Sequence, residues 1–344
     1  MKERRVYRWA LAAVLALILA LTTGCGPQEP ARYHLNVELV GDYPCMAWDV
    51  CVQDEYAFVA TKDNALLILD ISQPQRPVKV SSYVPGDIPK AVQVEQDYAY
   101  LLTDTGRYPN GNARLHIIDV SNPYRLQRMG ECYLGTSPAE ALSVKDAYAY
   151  AGSGNLYVVN VSDVSNPLLM RELYLGGRVA AVDVGDTLAY CAVQSPYQES
   201  KLVIVDISDP SQAKVAFSYR ASQRAKYPYS FAFDIARQDS CLFISTERGL
   251  QVIDIAKPTR PKDISFHPVY RWPLSFSALC VADPYVYLTY CTTGLKIIDI
   301  SDPTHPVEVG YYDILSRDVG KVCVKGSYVY VASLCALYIF QFTG

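Results

Sequence analysis

The 344-residue chain has only four histidines (His34, His116, His267 and His305), and none stands at metal-ligand spacing from another, which argues against a His-based metal centre or catalytic triad. It has ten cysteines but no Cys-x-x-Cys pair, so the common zinc and dithiol redox motifs are missing. No Gly-x-Ser-x-Gly elbow, phosphate-cradling loop or dinucleotide fingerprint occurs. Charged residues make up only 19% of the chain, and no block of like charge exists. The longest uninterrupted apolar run, Trp9 to Leu21, is too short to cross a bilayer of roughly 30 Å comfortably at ~1.5 Å per residue. What is abundant is apolar residues, at 50%, and tyrosine, with 28 copies. That composition predicts a folded globular body.

The apolar run lies behind a basic stretch (Lys2, Arg4, Arg5, Arg8) and ahead of small residues, the order of an export signal. The ending Leu21-Thr22-Thr23-Gly24-Cys25 resembles the lipobox of bacterial lipoproteins, with Thr22 where leucine is usual. The resemblance implies a signal peptide over residues 1–24, lipid on Cys25, and a short tether over 25–32 before a domain at 33–344. Without residues 1–24 the chain carries 27 Lys and Arg against 34 Asp and Glu, a net of −7. An acidic domain without a basic patch argues against nucleic acid and against electrostatic adhesion to anionic lipid. The membrane is therefore expected to be met through the lipid anchor alone.

One phrase recurs along the body: Leu66-Leu67-Ile68-Leu69-Asp70, Leu115-His116-Ile117-Ile118-Asp119, Leu156-Tyr157-Val158-Val159-Asn160, Leu202-Val203-Ile204-Val205-Asp206, Leu250-Gln251-Val252-Ile253-Asp254 and Leu295-Lys296-Ile297-Ile298-Asp299, with a degenerate seventh copy, Leu337-Tyr338-Ile339-Phe340-Gln341. Steps of roughly 41 to 49 residues and β-branched content predict four strands per unit. Each unit has an aromatic at one place in its second strand: Phe58, Tyr100, Tyr150, Tyr190, Phe243, Tyr287 and Tyr330. Ser-Asp-Pro or a relative follows the phrase, and this chemistry makes a turn before a short outer strand. The repeated aspartates read as caps of that turn rather than as a catalytic array. Strands apolar on both faces must be covered on both, which a ring of stacked four-stranded sheets achieves. The prediction is an all-β, seven-bladed β-propeller; six or eight blades fit the count less well. The seventh unit lacks an outer strand, and the segment 35–43 resembles one, so the N-terminal strand is predicted to complete the last blade. The cysteines beyond Cys25 mostly fall inside strand patterns, which favours buried free thiols over a disulfide framework.

The wording of the phrase resembles the LVIVD-repeat family of bacterial and archaeal surface proteins. The resemblance spans residues 33 to 344 and implies a β-propeller at the cell surface; it supplies no catalytic residues.

In such a ring the connections from outer strand to next inner strand share one face with the loops between second and third strands. Both longer insertions, at 103–114 and 193–201, fall there. Asp104, Asn110 and Asn112 offer oxygens for Ca²⁺, but their spacing fits no EF-hand, and a plain solvated loop is the better reading. The interblade connections on this face are rich in Arg, Tyr and Trp, residue types favoured where proteins bind partners. The expected contact set is Arg178, Tyr227, Tyr229, Arg271, Trp272 and Arg317, for an envelope protein or glycan, with no cofactor and no metal. The expected function is an envelope binding or assembly scaffold; the alternative is a hydrolase or lyase with its site at the channel mouth.

Overall fold

The computed structural model describes residues 34–106, 111–195, 198–220, 232–269, 277–291, 293–314 and 319–344. These residues form seven antiparallel sheets and no α-helix. Each inner strand packs against the inner strand of the next sheet, and that of the seventh (Val319–Lys325) packs against that of the first (Ala47–Gln53), so the ring is closed. The fold is a seven-bladed β-propeller, as the repeat predicts.

The reason lies in the two-sided strands. Among the described residues seven hydrophobic cores form, one in each interface between neighbouring blades. The repeated second-strand aromatic always enters the core shared with the following blade: Phe58 that of blades 1 and 2, Tyr150 that of blades 3 and 4, Tyr330 that of blades 7 and 1. All seven aromatics are buried. The residues on either side of them face the other way, as Ala149 and Ala151 do towards blade 2 and Leu242 and Ile244 towards blade 4, so each second strand feeds both of the cores that flank its blade.

The repeated phrase ends as predicted. Asp70, Asp119, Asp206, Asp254 and Asp299 each accept the backbone N–H two residues on, and Asn160 does the same. The turns that follow also touch the preceding blade: Ser81 donates to the Pro123 carbonyl at 2.5 Å and Ser265 to that of Pro303 at 2.6 Å. At the equivalent place in blade 7 stands Gly41, where a Cβ would lie 2.1 Å from the Pro74 carbonyl, so only glycine admits that approach.

Ring closure takes two steps. Val37–Tyr43 pairs with Leu337–Phe342 and completes blade 7, as expected. The preceding pair His34–Leu35 belongs instead to blade 6, opposite Tyr312 and Tyr311. Asn36, at φ 52°, makes the crossing, and its side chain donates to the Val309 carbonyl at 2.9 Å. The N-terminal segment therefore clasps two blades.

Candidate functional site at the channel mouth

The inner strands set the lining of the axial channel. In each blade one inner-strand residue stands opposite the buried aromatic: Cys51, Gln93, Ser143, Asp183, Ala236, Cys280 and Cys323. Two residues earlier, on the same face of each strand and nearer the connection face, stand Asp49, Ala91, Ala141, Ala181, Asp234, Ala278 and Lys321. One tier of the ring thus carries three charges and four methyl groups.

Both tiers stitch blade to blade. The inner strands leave backbone N–H groups facing the channel, and such groups require partners. Asp49 accepts from Val50 of its own strand at 2.8 Å and from Val92 of blade 2 at 2.9 Å. Asp234 repeats this with Ile235 at 3.0 Å and Leu279 of blade 6 at 3.0 Å. In the deeper tier Gln93 accepts from the N–H of Val144 at 2.7 Å, and Asp183 from that of Arg237 at 2.8 Å. Cysteines take the same place in blades 1, 6 and 7, where the N–H groups of Val94, Val324 and Val52 meet the sulfurs of Cys51, Cys280 and Cys323. Burial pushes Cys51 and Cys280 up to about 12, so they remain thiols. Among the described residues Cys45, Cys51, Cys132, Cys191, Cys241, Cys280 and Cys323 are free thiols, in line with the sequence reading, while Cys335 is disulfide-bonded. Cys51, Cys280 and Cys323 accept these backbone N–H groups and serve as small apolar groups as well.

The charged part of the upper tier is compact. Lys321 Nζ lies 2.8 Å from Asp234 Oδ1, reaching past blade 6, where Ala278 holds the equivalent place. Burial works against the charge on Lys321, but Asp234, Asp49 and Glu140 together outweigh it and hold the ammonium above its ordinary range. Burial also lifts Asp49, to about 6, against the pull of Lys321 and of the two N–H groups it accepts.

A bulge residue sits beside this tier at the mouth in several blades: Trp48, Lys90, Ala180 and Phe233 interrupt the pairing of their strands, and Glu140 holds the corresponding place in blade 3. Lys90 Nζ stands 4.9 Å from the centre of the Trp48 ring and Lys62 Nζ 5.8 Å. The Trp48 indole N–H is buried without a hydrogen-bond partner. Arg178 and Gln194 together link three blades: Arg178 donates to Glu140 of blade 3 at 2.8 Å and to Gln194 of its own blade, whose amide donates to the Ala232 carbonyl of blade 5. Burial raises the Glu140 carboxyl, and Arg178 and Lys90 offset part of that rise.

Of the contact set expected from sequence, Arg178 therefore lies at the mouth. Tyr227, Tyr229, Arg271, Trp272 and Arg317 lie outside the described residues, as do Cys25 and Asn110. Trp48, Asp49, Asp234 and Lys321 were not singled out from sequence. Aligning the inner strands on the repeated aromatic would have found them. Asp104, weighed as a Ca²⁺ ligand, accepts from the N–H groups of Gly106 and Ala139. Among the described residues no group of three or more His, Cys, Asp or Glu could hold a metal ion. His116 is buried against Thr103 at 3.1 Å, and burial lowers its pKa.

The LVIVD repeat model matches residues 36–84, 89–133, 138–173, 176–221, 277–314 and 316–339, more than half of the chain. The chain belongs to the LVIVD-repeat family. The matched segments of this LVIVD-repeat protein follow blades 1 to 4, 6 and 7, while the span between 221 and 277, which holds blade 5, is unmatched. No match was found among curated proteins. Among solved structures the chain is similar to the crystal structure of the computationally designed Ika8 protein, with a TM-score of 0.60 and 12% identity over 88% of this chain and 98% of that one. At that identity the likeness speaks to the fold alone.

Proposed function

We propose that this LVIVD-repeat protein is a cell-envelope lipoprotein, exported by residues 1–24 and anchored at Cys25, that works as a binding or assembly scaffold through the connection face of its propeller. The observation that carries the reading is Trp48. An indole held at the channel mouth within cation–π reach of two lysines, with Arg178 of blade 4 and Glu140 of blade 3 further round the same mouth, offers apolar area and cation–π contacts together. Strand positions elsewhere are consumed by packing between blades, so loops and bulges are what remain to meet a partner. The partner is expected to be an envelope protein or glycan.

A second reading, a hydrolase or lyase at the same mouth, is favoured by one observation. Asp49, lifted to about 6 beside Lys321, lies in the range useful for proton transfer. Against it, each oxygen of Asp49 and of Asp234 already accepts a backbone N–H, so these carboxylates are committed to holding blades together.

Envelope pull-down with the whole chain tests the scaffold reading. Trp48→Ala should weaken capture about 30-fold, the loss typical of a central interface tryptophan at ~2 kcal/mol or more, with an unchanged melt. Asp302→Ala, on the turn face, should leave capture intact. The reverse pattern would place the binding face on the other side.

A further inference from the structure

The path of the chain into the ring gives the face from which the N-terminal segment enters it. His34 stands opposite Tyr312, at the end of the blade 6 outer strand that pairs with Leu295, the first apolar residue of the repeated phrase. That end lies on the connection face, and the pairing is antiparallel, so the chain arrives from that face and runs down the outer edge of blade 6. Only eight residues, 26–33, separate His34 from Cys25. Fully extended at ~3.3–3.6 Å each, they span at most about 30 Å.

On the same face, the opposite side of the ring carries an apolar rim. The residue just past the one paired with the leading leucine of the phrase is Val84 in blade 1, Tyr133 in blade 2 and Tyr174 in blade 3. These three are 66%, 51% and 75% exposed. The other blades place Arg220, Pro268, Asp313 and Pro44 there. In a ring of seven, blades 2 and 3 lie across from blade 6. A tether on one side and two exposed tyrosines on the other define a plane, and tyrosine is a side chain suited to the bilayer interface.

Resting on the lipid anchor at Cys25, we propose that the connection face is turned to the membrane and that the rim of blades 1–3, through Val84, Tyr133 and Tyr174, lies against the lipid headgroups. The channel mouth with Trp48 and Arg178 then opens towards the bilayer rather than away from it. Contact through tyrosine and valine also suits a chain whose net charge of −7 after residue 24 gives it no attraction to anionic lipid.

The test uses the full chain, processed in a bacterial host with labelled palmitate and reconstituted into phosphatidylcholine and phosphatidylglycerol vesicles that contain a lipid with a photoreactive group near its headgroup. After illumination, lipid adducts are mapped by mass spectrometry. Tyr124 and Leu168, 68% and 59% exposed at the turn-face ends of blades 2 and 3, are internal controls. Because interfacial residues sit within ~5–10 Å of the headgroup boundary, adducts on Tyr133 and Tyr174 should exceed those on Tyr124 and Leu168 at least about fivefold. Palmitate should enter the wild type and not Cys25→Ser. Labelled protein with equal adducts on both faces, with more on the turn face, or with none on either overturns the orientation while sparing the anchor. A chain whose Cys25 takes no palmitate overturns the anchor, and the orientation with it.

Discussion

The two arcs of the inner ring are built on one backbone plan and held together differently. Across blades 5, 6, 7 and 1 the upper tier reads Asp234, Ala278, Lys321, Asp49; across blades 2, 3 and 4 it reads Ala91, Ala141, Ala181. In the first arc partly buried charges join non-neighbouring blades and bind backbone N–H groups. In the second the upper tier has no polar side chain, and the polar contacts lie below it, at Gln93 and Asp183, and above it at the mouth, where Arg178 and Glu140 pair with Arg178 half exposed to solvent. A buried ion is costly unless paired, whereas an exposed pair contributes little. The charged arc thus fixes the geometry of the ring, and the alanine arc leaves its mouth residues freer to rearrange around a partner.

The largest effect should come from removing what closes the ring. Deletion of residues 34–43 strips the outer strand from blade 7 and the fifth strand from blade 6, exposing two sheet edges. Aggregation, or a melting temperature lower by about 10 °C or more, is expected by light scattering and calorimetry. An unchanged melt would mean that the clasp contributes nothing.

Next in size is Lys321→Met. It leaves Asp234 and Asp49 without their cation and should cost on the order of 3–5 kcal/mol in chemical denaturation. A cost below ~1 kcal/mol would make the charged arc no different from the alanine arc.

A smaller effect should appear in the pH dependence. Asp49 titrates at about 6 in the folded ring, raised from an ordinary 3.8, so the folded state holds its proton more tightly than the unfolded chain does. Its contribution favours the fold in full below pH 4 and is lost as pH rises through 6, on the order of 3 kcal/mol at most. Asp49→Asn should therefore flatten the fall in stability between pH 4 and pH 6. If the slope of the wild type in that window matches that of Asp49→Asn, the carboxyl is not buried as described.

The architecture was legible because the blades repeat one local solution with variations: a third strand capped by Asp in five blades and by Asn160 in a sixth, Ser-Asp-Pro or a relative of it after the strand, and one second-strand aromatic in all seven. Repetition turned weak local signals into a count. The missing outer strand of unit seven and its counterpart at residues 35–43 likewise announced the closure. The channel was not legible in the same way. Asp49, Asp234 and Lys321 occur in separate blades, at a position that is alanine in the other four, so no motif repeats and only the strand register brings them together. Trp48 was missed because a bulge puts it out of step with the alternation of its strand. The two-residue pairing of His34–Leu35 with blade 6 is too short to leave a pattern.

The difference between the arcs is tested most directly by a pair of double-mutant cycles, Lys321→Met with Asp234→Asn against Arg178→Met with Glu140→Gln, read in unfolding free energy at one pH. Coupling of about 2 kcal/mol or more is predicted for the Lys321–Asp234 pair, and no more than ~1 kcal/mol for the Arg178–Glu140 pair. Equal coupling in the two cycles, or the larger value at Arg178, would contradict the account.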